Sequence, residues 1–146
     1  MSTPTVLSPE ECRHLLAGEV VGRVGLSTPK GPRIVPVNYA VHAEEVVFRT
    51  SAYSEVGTYG RNADVAFEVD RLDHERHQGW SVVVLGRSRV VDDPAELAEI
   101  RRTWEPRPWA SGARNLVLAV PSRDLSGRRI GQDWDEERLT PYRRTV

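Results

Sequence analysis

The chain of 146 residues is short of cysteine, of lysine and of net charge, and each shortage removes a class of function. A single cysteine, Cys12, rules out an internal disulfide and a cysteine-ligated zinc cluster. It fits the reducing cytoplasmic setting expected here. Twenty basic residues against twenty-one acidic ones leave a net charge of −1, which gives no overall pull towards nucleic acid or an anionic membrane. Lys30 is the only lysine among the twenty basic residues, which matters wherever a site would ordinarily use lysine. No apolar run approaches the ~18 residues of a membrane-crossing helix. The first residues lack the basic stretch and apolar segment of a signal peptide, so none is expected. There is no Ser/His/Asp order, no glycine-rich phosphate loop and no well-set pair of carboxylates, so no catalytic residue is assigned. His74 and His77 sit in the polar stretch 73–78 without a third ligand, which reads as a solvated loop and not a metal site.

What is present organises itself around residues 33–51. Ile34, Val35, Val37, Tyr39 and Val41 form one apolar run and Val46, Val47 and Phe48 a second. The polar turn His42-Ala43-Glu44-Glu45 separates them, which predicts a β-hairpin. The second strand ends in Arg49-Thr50-Ser51. A guanidinium fork followed by two hydroxyls suits a phosphate; a solvated strand end fits the same three residues.

Around the hairpin the signals are local and ordered. Ser8, Pro9 and Glu11 make a helix start with a capping box, Leu7 and Cys12 a hydrophobic staple, and Gly18 a stop. Cys12, Leu15 and Leu16 form its buried stripe, so Cys12 reads as core and not as a nucleophile. Residues 20–27 read as a strand whose two glycines mark a bend or a close backbone approach. Residues 28–32 are a turn. A short helix over 54–61, weakened by Gly57 and Gly60, follows the Arg-Thr-Ser triplet and would turn its amino end towards an anion. Residues 65–72 alternate as a half-buried antiparallel strand. Residues 79–91 are expected to be the longest strand, buried on both faces in its first half and bent at Gly86. Asp93 and Pro94 open another helix with Leu97 and Ile100 on its apolar side. A loop over 104–113 holds Trp104 and Trp109, and strands over 114–122 and 124–131 close the pattern. Six or seven strands with short helices predict a single mainly β domain over 1–146. Its core spans about 7–131 as an antiparallel sheet closed into a small barrel, followed by a loosely ordered tail over 132–146 in which Trp134 is a candidate anchor against the body or a partner subunit.

The order of these pieces resembles a known family. The VGRVG strand, the IVPVNY strand, the VVFRTS strand, the VAFEVD strand, the GWSVVV strand, the PWA loop and the GRRI close are similar, over about residues 7–131, to the small actinobacterial-type members of the pyridoxamine 5′-phosphate oxidase-like split barrels. The resemblance implies a six-stranded antiparallel split β-barrel of the FMN-binding type. It also implies a homodimer with flavin mononucleotide (FMN) in clefts at the interface, and hydride transfer to a small-molecule substrate. On that resemblance Arg49, Thr50 and Ser51 would hold the phosphate, with Arg33 a second cation. Pro36, Val37, Asn38 and Tyr39 would run along the isoalloxazine ring, and Trp80 and Ser81 would approach the ring or ribityl chain from the same or the other subunit. Where the family often carries a phosphate-binding lysine, this chain has Glu55, a carboxylate that needs a compensating cation such as Arg61 or Arg87. The departure leaves open a deazaflavin or a haem, with His42 and His74 the axial candidates by type. It also leaves open a module that binds without turnover, and a member that has lost its cofactor. Arg128, Arg129 and Arg143 lie near where oxidases proper hold a substrate phosphate, but their surroundings do not match that pattern.

Overall fold

A computed structural model describes residues 3–104 and 115–131. The expected Trp109 loop, the tail over 132–146 and Arg143 lie outside the described residues. Twelve elements are described: β1 (Thr5–Val6), α1 (Pro9–Ala17), β2 (Val21–Thr28), β3 (Gly31–His42), β4 (Glu45–Thr50), α2 (Glu55–Tyr59), β5 (Asp64–Asp73), β6 (Gln78–Arg87), β7 (Arg89–Val90), α3 (Pro94–Thr103), β8 (Leu116–Pro121) and β9 (Asp124–Ile130). No helix among the described residues is long and apolar enough to cross a membrane.

The strands form one curled antiparallel sheet in the order β1-β9-β6-β5-β2-β3-β4-β8-β7. The fold class is mainly β, as expected, but the described residues form nine strands and not six. Part of the excess comes from residues 79–91, which do not run as one long strand. The chain breaks at Ser88, whose amide donates to the Ala63 carbonyl (2.8 Å) and whose hydroxyl donates to the Gly60 carbonyl. Arg89 and Val90 then pair with β8 instead of β5. Near this break the sheet curls on itself, since a Cβ on Gly86 would stand 3.0 Å from the Pro121 carbonyl oxygen. β3, with twelve residues, is the longest strand. The first half of β6 is not buried on both faces to its end, because Leu85 is half exposed.

The concave face carries the core: Val24, Tyr39, Phe48, Phe67, Val82, Val84 and Leu118 among others. Tyr39 meets Phe67 edge to face at 4.7 Å between centroids, a preferred aromatic geometry. Gly22 makes this packing possible, because a Cβ there would lie 2.2 Å from the Phe67 ring. The glycine in β2 thus marks a close approach. α1 begins with the expected capping box, with Glu11 N–H to Ser8 Oγ and Ser8 N–H to Glu11 Oε2 both at 3.2 Å. Cys12 and Leu16 are buried, and burial pushes the Cys12 thiol up, consistent with a core residue. α3 starts at the Asp93 cap and lays Ile100 and Leu97 on the outer side of β4 and β8, against Val47, Val117 and Ala119.

Candidate functional site

The register of β3 defines the site. From Gly31 to Asn38 the strand pairs with β2, ending at Val21↔Asn38. From Tyr39 to His42 it pairs on its other edge with β4, ending at Tyr39↔Phe48. Beyond that pair β3 and β4 part company. β4 continues against β8 through Arg49↔Val117 and Thr50↔Leu116, and among the described residues no strand pairs with the β4-side edge of residues 33–37. The result is a fork with β3 on one arm and Arg49, Thr50 and Ser51 on the other. Tyr39 N–H donates to the Val20 carbonyl (2.9 Å), so its backbone groups point to β2. Strand alternation turns those of Asn38 to the β4 side, where the Tyr39↔Phe48 pair is closed, and aims those of Pro36 and Ile34 into the fork, Pro36 offering only a carbonyl.

The far arm is a tied turn. Ser54 Oγ accepts from Gly57 N–H (3.0 Å) and donates to the Ser51 carbonyl (2.8 Å). Its one proton is thereby used, so in the 2.8 Å contact between Thr50 Oγ1 and Ser54 Oγ the threonine donates. Thr50 is buried and supports the turn from beneath. Ser51 Oγ accepts from Tyr53 N–H (3.3 Å) and keeps its proton for another partner. Arg61 holds the turn from behind, with Nε to the Gly57 carbonyl at 2.5 Å and Nη2 to the Ala52 carbonyl at 3.1 Å. A Cβ on Gly57 would stand 2.1 Å from the Ser51 carbonyl oxygen, so only glycine lets α2 approach this closely. α2 itself is five residues long, shorter than the sequence suggests, and its Gly57 amide is taken by Ser54.

The expected site residues divide into two groups. Arg33, Pro36, Val37 and Asn38 lie along one arm, and Arg49, Thr50 and Ser51 on the other. Tyr39 stands at the root, its side chain buried with the hydroxyl donating to the Leu16 carbonyl and its phenol pushed up by burial. Trp80 and Ser81 are not brought to the fork of their own chain: they lie on β6, separated from β3 by β5 and β2. The Trp80 side chain is 4% exposed and serves the core. An open concavity of about 220 Å³ lies elsewhere, lined by Ala17, Gly18, Glu19, Val20, Tyr39, Ala40 and Val41.

Glu55 is answered by a cation other than those expected. Arg33 Nε stands 3.5 Å from Glu55 Oε1. Arg61 is committed to backbone carbonyls, and Arg87 lies 3.7 Å from Asp64. Neither His42, at the end of β3 beside Glu45, nor His74, in the β5–β6 turn, borders the fork. Sequence reasoning missed Arg61 as the clamp of the turn and Ser54 as its hub; Ser54 was legible as the residue before a short helix.

Residues 8–129 match the family model described as pyridoxamine 5′-phosphate oxidase. The uncharacterized protein Rv0080 of Mycobacterium tuberculosis is 37% identical over 132 residues, 87% of this chain and 86% of that one. Among solved structures, the FAD binding protein from Mycobacterium smegmatis is 34% identical with a TM-score of 0.72, covering 86% of this chain and 98% of that chain. A putative pyridoxamine 5′-phosphate oxidase from Corynebacterium glutamicum is 25% identical with a TM-score of 0.74, covering 92% and 99%. With a match that covers most of its length, this chain belongs to the pyridoxamine 5′-phosphate oxidase family.

Proposed function

We propose that this protein is a flavin-dependent oxidoreductase that binds the flavin in the fork between β3 and β4 and works as a homodimer. The observation that carries the reading is the break in pairing after Tyr39↔Phe48. It opens a strand edge with aimed backbone groups opposite a turn built around Arg49 and Ser51. A strand edge matches the polar rim of a flat heterocycle, and a guanidinium with a hydroxyl suits a phosphate. Similarity to the FAD binding protein from M. smegmatis supports the cofactor class. The family resemblance favours FMN, and the cradle suits the phosphate of either flavin nucleotide. Bound flavin supplies hydride transfer at its N5, so the chain needs no acid or base of its own for that step. Arg49, Ser51 and the β3 edge bind and orient; Thr50, Ser54 and Arg61 keep the turn in place.

The convex face supports the dimer. Ile34, Gly25, Ala66 and Leu85 stand directly opposite one another across β3, β2, β5 and β6. Ile34 is 75% and Leu85 50% exposed, so this apolar row ends in large side chains left in water. A second copy on this face would cover the row and, through Ile34, border the fork. The pairing of Glu55 with Arg33 weakens the alternative of a member that has lost its cofactor, because the carboxylate does not face the cradle uncompensated.

The test is an absorbance spectrum of the purified protein before and after incubation with FMN and desalting, with sedimentation in parallel. Retained flavin bands in a dimer support the reading, and oxidation of a reduced nicotinamide separates an enzyme from a storage module. A colourless monomer that takes up no flavin, FMN or FAD, overturns it.

A further inference from the structure

The convex face carries charges that its apolar row does not explain. Arg23 on β2 stands directly opposite Glu68 on β5. Its Nε donates to Glu68 Oε2 at 2.7 Å and its Nη2 to Asp70 Oδ1 at 2.6 Å. One cation thus answers two carboxylates, and the cluster keeps one negative charge. All three side chains are partly exposed. In water such a cluster contributes little. Under a covering surface its surplus charge is costly unless that surface brings a cation. Asp70 is the place to receive one, since it accepts at Oδ1 and has a second carboxylate oxygen.

The same face holds the matching cation. Asp70 and Arg128 both stand directly opposite Ser81, one on either side of β6. Residues directly opposite in an antiparallel ladder share a face, so the three form one row. Arg128 is exposed and meets no carboxylate among the described residues. Two residues along the same strands, hence on the same face, Leu72 and Ile130 flank Gly79. They are 59% and 46% exposed. The charged strip therefore lies between two apolar rows, this one and the row from Ile34 to Leu85, which would seal it from water under a partner. In a two-fold contact residue i meets residue j and j meets i. An axis beside Ser81, running along β6, exchanges the two sides of its row. Each Asp70 then meets the partner's Arg128, and each cluster closes without net charge. We propose that the homodimer is keyed by this exchange, as two symmetric Asp70–Arg128 pairs across the convex face. The inference rests on the convex-face dimer proposed above. It adds the register of that dimer and the residues that select a second copy of this chain.

The experiment is sedimentation of the full chain as wild type, Arg128→Glu, Asp70→Arg and an equimolar mixture of the two variants. Each reversal replaces two attractive contacts by two repulsive ones, so each variant alone should dimerise ~100-fold more weakly than wild type. In the mixture both contacts join opposite charges again, so a heterodimer should form where neither variant pairs with itself. Arg128→Gln, which removes the charge without reversing it, should weaken the dimer by about tenfold and reduce its sensitivity to salt. Arg128 is exposed on a strand face, so its two variants should keep the wild-type fold, checked by circular dichroism, and they carry the decision if Asp70→Arg does not fold. Wild-type dimer affinity in Arg128→Glu or Arg128→Gln overturns the pairing and leaves the dimer reading standing. Folded, monomeric variants that do not associate on mixing overturn it as well. A wild-type protein that sediments as a monomer overturns the dimer reading, and this inference with it.

Discussion

Arg33 Nε and Glu55 Oε1 stand 3.5 Å apart and join the outer end of β3 to the first residue of α2. The pair closes the mouth of the fork on its own chain. Both side chains are close to half exposed, so the pair contributes at most about 1 kcal/mol to folding. Its consequence is electrostatic: one carboxylate and one cation border the cradle instead of two cations.

Replacing Glu55 by lysine removes the carboxylate and leaves two cations at the mouth. FMN affinity is expected to rise about tenfold, equivalent to ~1.4 kcal/mol, with little change in melting temperature because the lost pair is exposed. Titration of wild type and Glu55→Lys with FMN checks this. An unchanged affinity would mean that Glu55 points its charge away from the phosphate.

Arg49→Ala removes the guanidinium at the end of β4. Affinity for any flavin nucleotide should fall by on the order of 2 kcal/mol, the scale of a charge-assisted hydrogen bond. The fold should hold, since β4 keeps Val46, Val47 and Phe48 in the core. Full affinity in this variant would sink the phosphate assignment.

Much of this fold was legible in the sequence because it is local. The Ser8 capping box, the Asp93 cap, the hairpin about 42–45 and the Arg-Thr-Ser strand end all depend on residues a few positions apart. What escaped is what depends on distance in the chain. Arg33 and Glu55 are joined only because β3 and the turn after β4 diverge and then meet again through α2. Trp80 reads as a site residue by resemblance, from the same or the other subunit, and within its own chain β5 and β2 intervene between it and the fork. The break at Ser88 was invisible because Arg89 and Val90 suit a strand in either position, and only the curl of the sheet decides which partner they take. The turn itself shows the same contrast: positive φ at Ala43 (49°) and Glu44 (59°) belongs to the tight hairpin connection, and neither residue is of the kind that signals it.

Two glycines separate stability from binding. Gly22→Ala drives a methyl into the Phe67 ring at 2.2 Å and should destabilise the fold by ~2–3 kcal/mol, while protein that does fold binds flavin as before. Gly57→Ala drives one into the Ser51 carbonyl at 2.1 Å, displacing the turn that presents Ser51. It should lose flavin affinity out of proportion to any loss of melting temperature. Thermal unfolding and flavin titration on both variants test the division; equal profiles would refute it.

Acid should unfasten α3 before it touches the fork. Arg89 on β7 holds Glu45 of β4, with Nε to Oε2 at 3.0 Å and Nη2 to Oε1 at 2.6 Å, and reaches Glu96 of α3 with Nη1 to Oε2 at 3.2 Å. Hydrogen bonding from Arg89 holds the Glu96 carboxyl below its ordinary value of 4.5. A depressed folded-state value means the stabilisation is complete above the unfolded value and is lost as pH falls through the folded one. Glu19 has the opposite sign. Burial raises its carboxyl despite Arg71 at 2.9 Å, so the native state is relieved of a cost as pH falls through that raised value. Glu96→Gln should therefore be less stable than wild type near neutrality by ~0.2–1 kcal/mol and converge with it as pH falls below the ordinary carboxyl value and wild-type Glu96 protonates. Glu19→Gln should diverge least from wild type in acid and gain most near neutrality. Urea midpoints from pH 3 to 7 give the measurement. A Glu96→Gln curve parallel to wild type across that range would place the acid sensitivity elsewhere in the chain.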